Sequence, residues 1–433
     1  MPDMTANNIV LHRAPWVVTG TVPGTIGTEG SVFSDGAVLA VDGWIQGVGR
    51  YRDLAAEYSQ VDKIDHDGSI LTPALINGHT HLELSVLAIN ETVDNDRLPM
   101  QDMTVWIRNL LASKRKFSES HHDYVSRIMD CGRQALDDMF AEGVAFAGDI
   151  GNHVQSSRIS KDHVLRVCFL LELLGFTRDT AEKSIDRLHD LATDTSLDIG
   201  FTAHAPYSAT PALMQEIKRY SQRKGNVFSI HAAESEEEIE FLRSGTGSFK
   251  KFLIDRGAWD DSFKPPGTGA IQYLDQLGVL DQHTVCVHAV HINEQEINML
   301  AKKKAKVCLC PGSNRTLGVG KAPVDRLLKA GILPAIGTDS LASNVSLNMW
   351  REMQILRDDH PALEPAKVFS MATAGGAAAW GRDDELGALA IGKRARFLSI
   401  SCQDAGNSAL AVFEYLTGSG ESVQVDWVEQ EAS

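Results

Sequence analysis

Residues 70–81 read ILTPALINGHTH, an apolar run that closes on two histidines spaced i, i+2. In an extended strand, residues two apart project to one face, so His79 and His81 are predicted to point the same way. An H-x-H pair alone is a weak sign of metal binding, and its surroundings decide its meaning. Seven further short apolar runs follow: GVAFAGDI (143–150), HVLRVCFLLELLG (163–175), DIGFTAHAP (198–206), NVFSIHAAE (226–234), TVCVHAV (284–290), AKVCLCPGSN (305–314) and ILPAIGTDS (332–340). Helix-like segments separate most of them, at 181–194, 211–224, 235–256, 293–303 and 322–330. Thr210 before Pro211, and Asn293 before an acidic first turn, are N-terminal helix signals. Strands alternating with helices predict a parallel sheet with helices outside, and near-continuous apolar runs suit strands buried on both faces. The expected fold class is therefore α/β, a (β/α)₈ TIM-like barrel, with an open doubly wound sheet as the alternative. The barrel better explains why so many runs end in a residue able to bind a metal.

The flanks read differently. NIVLHRAPWVVTG (8–20), GAVLAVDGWIQGVG (36–49) and KIDHDGSILTP (63–73) are short alternating runs broken by turns, and LGALAIGKRARFLSISC (386–402) and VQVDWVEQ (423–430) resume that style. The expected organisation is a small β-sandwich built from residues 1–69 and 386–433 around a catalytic barrel at 70–385. The Gly/Pro-rich stretch 257–270 is a candidate cover for the barrel mouth.

Composition narrows the class. Of 433 residues, 43% are hydrophobic and 23% charged, which excludes collagen-like and wholly disordered chains. With 41 Lys and Arg against 57 Asp and Glu, the net charge of −16 disfavours a nucleic-acid partner. No apolar stretch is long enough for a membrane helix, and MPDMTANNIV lacks the pattern of a signal peptide. Six cysteines in this length make no disulfide framework, and Cys168, Cys286, Cys308 and Cys310 read as buried small hydrophobes. A reducing cytoplasm is the expected setting. The expected partner is a small-molecule substrate, with a homo-oligomer left open.

His231 ends the fifth run and Asp339 the eighth, so His79, His81, His231 and Asp339 offer a four-ligand set for one divalent first-row ion. Zinc is the expected metal; iron and manganese suit the same donors. Glu234 follows His231 by three residues, and His288 ends the sixth run. Its neighbours Glu236, Glu237 and Glu238 read as a solvated first helical turn.

NGHTHLE, TAHAPYS, SIHAAES, VHAVHI, CPGSNRTLGVGKAPV and GTDSLASNVSLNMWREM resemble, in order, the strand-end motifs of the amidohydrolase superfamily. The nearest group is that of the methylthioadenosine/S-adenosylhomocysteine and chlorohydrolase-like aminohydrolases. The resemblance spans about residues 8–400 and continues through MATAGGAAAWG and ELGALAIGKRARF, where Arg396 replaces the family's usual Asp. It implies metal ligation by His79, His81, His231 and Asp339, and catalysis by Glu234, His288 and Asp339. It also implies a single metal, since no Lys ends the fourth run. Substrate contacts are expected from His204, Glu172, Trp106, Ser313 and Asn314. Independently of the resemblance, a metal that brings the pKa of water to roughly 7 makes hydrolysis of an aromatic amidine feasible. Asp339 and His288 then take the water's proton, and Glu234 protonates the ring nitrogen.

The substrate is less sharply written. The methylthioadenosine group usually places a Glu just before the tryptophan that Trp106 resembles, to grip the ribose; here Met103, Thr104 and Val105 stand there, leaving Asp102 as a candidate. The group's carboxylate-binding arginine near the third strand end is matched by Glu172. The form C-P-x-S-N-R-x-L-G resembles the aminodeoxyfutalosine deaminases of menaquinone synthesis. The expected activity is deamination of a 5′-modified adenosine such as aminodeoxyfutalosine, with release of ammonia. The alternative is hydrolysis of another aminated or halogenated ring, of triazine, pterin, guanine or cytosine type. A non-catalytic metal-binding scaffold would have no need of Glu234 and His288 beside a full ligand set.

Overall fold

The computed structural model describes residues 8–20, 31–88, 102–402, 406 and 408–429; the ends of the expected small domain, 1–7 and 430–433, lie outside the described residues. Five strands come first: β1 (Ile9–Val18), β2 (Val32–Val41), β3 (Trp44–Arg50), β4 (Asp62–Asp65) and β5 (Ser69–Pro73). Eight more follow, separated by helices: β6 (Leu75–Thr80), β7 (Val144–Gly151), β8 (Arg166–Leu173), β9 (Gly200–Ala203), β10 (Phe228–Ala232), β11 (Thr284–His288), β12 (Lys306–Leu309) and β13 (Ala335–Ile336). The last two are β14 (Phe397–Ser401) and β15 (Val425–Glu429).

Strands β6-β7-β8-β9 and β10-β11-β12-β13 form two parallel four-stranded sheets. Every residue of β6, β7, β9, β10 and β11 is buried, the reason their sequences lack polar alternation. The halves meet at two seams. At one, the His231 amide donates to the His204 carbonyl at 3.0 Å. At the other, Thr80 bridges Asp339 in parallel, and the amides of Thr338 and Asp339 both donate to the His79 carbonyl at 3.0 Å. The eight strands thereby close into the expected barrel.

The helical segments follow the sequence reading with one informative break. The stretch 235–256 is two helices, Glu236–Ser244 and Gly247–Asp255. Gly245 caps the first in the left-handed conformation, φ 67°, where a side chain would be strained. The run at 305–314 is likewise divided: β12 ends at Leu309, and Pro311 opens a short helix, Pro311–Leu317.

Both termini contribute to one continuous seven-stranded sheet, ordered β15-β14-β5-β1-β2-β3 with β4 paired to β1. Leu398 and Ile400 of β14 join the barrel's hydrophobic core. Trp427 of β15 stacks on Phe140 at 4.7 Å and donates to its carbonyl at 2.8 Å. Arg396, the departure from the family pattern, donates to the Val164 carbonyl at 3.0 Å and so ties the sheet to the barrel. Between β14 and β15, the helix Ala409–Gly418 sets Phe413 against Phe369 of the helix Pro365–Ser370. Cys286, Cys308 and Cys310 are buried and Cys168 is half-buried, all as free thiols.

A second hydrophobic cluster unites Ile76, Phe146, Leu170, Val285 and Cys308 with Trp380. The Trp380 indole donates to the Gly78 carbonyl at 2.9 Å and lies flush against Gly148. A Cβ on Gly148 would sit 1.8 Å from Trp380 Cζ2, closer than any side-chain adjustment tolerates. Gly148→Ala is therefore expected to destabilise the fold by about 1–3 kcal/mol or more, read as a lower midpoint in thermal unfolding. An unchanged midpoint would show that Trp380 is not wedged against this strand.

Candidate active site

Four side chains converge where the seams close. His79 Nε2 lies 3.1 Å from His81 Nε2 and 3.1 Å from His231 Nε2. Asp339 Oδ1 lies 3.5 Å from His81 Nε2 and 3.8 Å from His79 Nε2. None of the four is more than 8% exposed. His81 Nδ1 faces the Ile150 carbonyl at 2.9 Å; a carbonyl only accepts, so Nδ1 carries the hydrogen and Nε2 presents its lone pair. Asp339 Oδ2 accepts from Ser313 Oγ at 2.6 Å and from Ser343 Oγ at 2.8 Å, leaving Oδ1 to face the imidazoles.

Three ring nitrogens at such separations cannot satisfy one another. One hydrogen can serve one pair only, and the buried His79 Nδ1 has no hydrogen-bond partner to take up the remainder. Burial, followed by the neighbouring imidazoles, holds the His79 and His231 pKa values well below the usual histidine range, so both are neutral donors of lone pairs. Donors arranged tetrahedrally about 2.05 Å from one ion lie about 3.3 Å apart, close to the spacing here. The residues therefore fit a divalent cation held by three imidazoles and a carboxylate.

Beside this set, Glu234 Oε1 lies 3.4 Å from His288 Nε2. His288 Nδ1 donates to Asn314 Oδ1 at 2.9 Å, which fixes the ring and turns Nε2 toward the glutamate. Burial is the main influence on the Glu234 carboxyl and raises its pKa, although His288 opposes the shift. The backbone is bent to aim these groups. Ala233, His288, Ala289 and Asp339 all have φ between 49° and 70°, half of the non-glycine residues in that region among the described residues.

The deepest departure from the sequence reading is Glu238. It is not solvated but fully buried, and its carboxylate accepts from the amides of Ala233 at 3.0 Å and Glu234 at 2.9 Å. The helix Glu236–Ser244 turns this residue back under the strand end, an effect of the i+4 geometry that an acidic run conceals. Glu236 is exposed and Glu237 half-buried, as a first turn should be. Burial pushes the Glu238 carboxyl up to about 8. Similar clamps hold the other loops. Asp149 accepts from the Leu82 amide at 2.8 Å, and Glu352 from the Gly312 amide at 2.7 Å. Glu83 accepts from the amides of Asn152 and His153 at 2.9 and 3.1 Å.

A cavity of about 610 Å³ opens above the cluster, lined by His81, His231, Glu234 and Asp339 at its polar end. His204, Glu172 and Trp106 also line it, as expected of substrate contacts. Ser313 and Asn314, also expected as substrate contacts, are not among the residues lining the cavity; their side chains bond to Asp339 and His288. Asp102 does not line it either, because its carboxylate caps the helix Met103–Ser120 by accepting from the Thr104 amide at 2.7 Å. Of the proposed cover, Gly257 and Ala258 reach the cavity, while Trp259 and Phe263 pack against Phe176 and Phe241. Lys114 and Asn152 line the cavity without having been singled out in the sequence.

The model of the amidohydrolase family matches residues 70–425. The chain belongs to the amidohydrolase family. This amidohydrolase is 30% identical over 355 residues to the 5′-deoxyadenosine deaminase of Methanothermobacter thermautotrophicus, covering 77% of this chain and 73% of that one. It is 28% identical over 386 residues to the aminodeoxyfutalosine deaminase of Nitratiruptor, covering 86% and 89%. Its fold is shared with a zinc-bound adenosine deaminase structure from Xanthomonas campestris, at a TM-score of 0.73 and 23% identity, covering 94% and 88%. The arginine-poor third strand end and the His₃Asp cluster of this amidohydrolase belong to the matched segment.

Two outcomes follow for the amidohydrolase. The purified protein should carry one divalent ion per chain by elemental analysis, and His79→Ala should lose it; two tightly held ions would contradict a single centre. Glu238→Gln keeps the size but replaces one amide acceptor with a donor. It should lower kcat by roughly 10- to 100-fold by letting Glu234 drift. Metal content and KM should change little; an unaltered kcat would show that Glu234 is aimed by other contacts.

Proposed function

We propose that the chain is a zinc-dependent aminohydrolase that removes the exocyclic amino group of a 5′-modified adenosine, with aminodeoxyfutalosine foremost, and releases ammonia. The observation that carries this reading is the Glu234–His288 pair, 3.4 Å apart, set against the His₃Asp cluster on the floor of the cavity. Hydrolysis of a simple amide or ester would not need a buried carboxyl beside a histidine for a ring nitrogen. Deamination of an aromatic amidine does.

His79, His81, His231 and Asp339 would hold the ion, with Ser313 and Ser343 keeping Asp339 turned toward it. When bound, a divalent ion brings the pKa of a water to roughly 7 and supplies a nucleophile at neutral pH. Asp339 and His288 would be the bases that take the proton of the attacking water. Attack at the amine-bearing carbon moves an electron pair onto the adjacent ring nitrogen, and Glu234 gives that nitrogen its proton. The raised Glu234 pKa favours the protonated form that this step requires. The proton held by the bases then passes to the amine, which leaves as ammonia, while the hydroxyl on the same carbon gives its proton to Glu234 as the carbonyl forms. His204, whose Nδ1 is paired with Ser208 Oγ at 2.8 Å, presents its ring to the cavity and orients the heterocycle.

The names of the relatives support a nucleoside substrate, as two of them are deaminases of adenosine derivatives. The outer cavity supports an extended 5′ group, since Trp106, Leu110, Phe176, Phe249 and Phe252 line it with apolar surface. Among the described residues, no helix is long and apolar enough to cross a membrane.

Glu234→Gln keeps the shape but cannot move a proton, so turnover should fall by roughly 10²- to 10⁴-fold with metal content unchanged. In an ammonia-release screen, 5′-extended adenosines should surpass adenosine in kcat/KM, because binding of the remote group is expressed in the transition state. A free base, pterin or triazine surpassing every nucleoside by tenfold would overturn the nucleoside reading.

A further inference from the structure

One wall of the cavity carries charge of both signs in a fixed array. Glu172, at the end of β8, is 6% exposed and lines the cavity. Its Oε2 accepts from Asn152 Nδ2 at 2.8 Å. The same amide accepts from Lys114 Nζ at 3.2 Å through Oδ1, so both ends of Asn152 are committed. Lys114 Nζ lies 3.7 Å from Glu83 Oε1, and its side chain is 30% exposed toward the cavity. Glu172 has no cation within 4.0 Å, and Oε1 has no hydrogen-bond partner, among the described residues.

Glu172 Oε1 thus faces the cavity with no protein partner among the described residues, free to accept from a ligand donor in place of water. The nearby ammonium is a demand for an acceptor. A ligand carboxylate would meet Lys114 but face Glu172, and a ligand ammonium would do the reverse. A pair of neighbouring hydroxyls meets both, since each hydroxyl donates and accepts. The position agrees. Glu172 and Leu173 of β8 pair with Thr202 and Ala203 of β9, and His204 follows directly on the end of that strand. The array therefore stands one strand from His204 at the polar end of the cavity.

Resting on the nucleoside reading above, the geometry points to Glu172, held by Asn152 and assisted by Lys114, as the site that recognises the vicinal 2′,3′-hydroxyls of the substrate's ribose. The carboxylate accepts from the diol, and the lysine donates to it. The recognition is separate from the metal cluster and from the apolar lining that faces the 5′ group. It also disfavours a charged group at this depth, so an ionic 5′ tail must be accommodated farther out.

The test compares adenosine with 2′-deoxyadenosine and 3′-deoxyadenosine, by kcat/KM for ammonia release, in the wild-type protein, Glu172→Gln and Lys114→Met. A site built to bond a hydroxyl strongly rejects analogues that lack it. The wild type should prefer adenosine over each deoxy compound by roughly 10- to 100-fold. In Glu172→Gln that preference should shrink to within about threefold, because adenosine falls while the deoxy compounds barely change, with bound metal equal to wild type. Lys114→Met, which removes an ammonium at the cavity rim, should narrow the preference in the same direction and keeps the test open if the buried variant fails to fold. Equal loss on all three nucleosides, or an unchanged preference in both variants, would overturn the diol assignment while leaving the nucleoside reading intact. A wild type that deaminates free adenine as fast as adenosine would overturn that reading and this site together.

Discussion

Three imidazole nitrogens and one carboxylate oxygen converge on the buried floor of the cavity, the other three all within 4 Å of His79 Nε2. Left alone, such an arrangement is unfavourable: lone pairs face lone pairs, and burial removes the solvent that would separate them. A cation reverses the sign of every one of those contacts. The rest of the molecule can be understood as the scaffold that makes this convergence unavoidable. His79 and Asp339 stand across one seam of the barrel, and His231 and His204 across the other, so closing the barrel and assembling the ligands are the same event.

Strand ends alone would not hold these side chains in place. Around the cluster, carboxylates that never touch the cavity bind backbone amides instead. Glu238 fixes the turn at Ala233 and Glu234, Asp149 fixes the amide after His81, and Glu352 fixes the turn at Gly312. Burying a carboxylate is costly unless its lone pairs are used, and each of these uses them on amides that the irregular backbone would otherwise leave unpaired. The positive φ at Ala233 is sustained in this way, whereas the amides of Ala289 and Asp339 are held by the backbone carbonyls of Ala232 and His79. Strain is placed where direction matters, and the clamps keep it from relaxing.

The cavity divides the labour of recognition by chemistry. Its floor is polar and holds the reacting groups, one wall carries the Lys114–Asn152–Glu172 array, and its outer part is aromatic and aliphatic. A substrate with a flat heterocycle, a neutral hydroxylated middle and an apolar end matches that order. Among the described residues, the small sheet contributes nothing to the cavity lining; it is tied to the barrel by Trp427, Arg396 and Leu398, and supports the strands from there.

The alternation of apolar runs and amphipathic segments, written locally in the chain, determined the barrel, and the two-residue period of an extended strand determined that His79 and His81 face one way. Ligands at strand ends are legible because a barrel sends every strand end to the same rim. Other features depend on contacts between residues remote in sequence, and only the tertiary structure decided them. Ser313 and Asn314 lie in a motif that suggested substrate contact, yet each side chain is consumed by a partner 26 residues away. Glu238 is indistinguishable in sequence from its solvated neighbours, and only the direction in which its helix packs buries it. Lys114, Asn152 and Glu172 come from three elements with no common motif, 38 and 20 residues apart along the chain. A local pattern can fix the direction of a side chain relative to its own strand. It cannot fix which distant group will satisfy that side chain, because a hydrogen bond depends on where two segments meet in space.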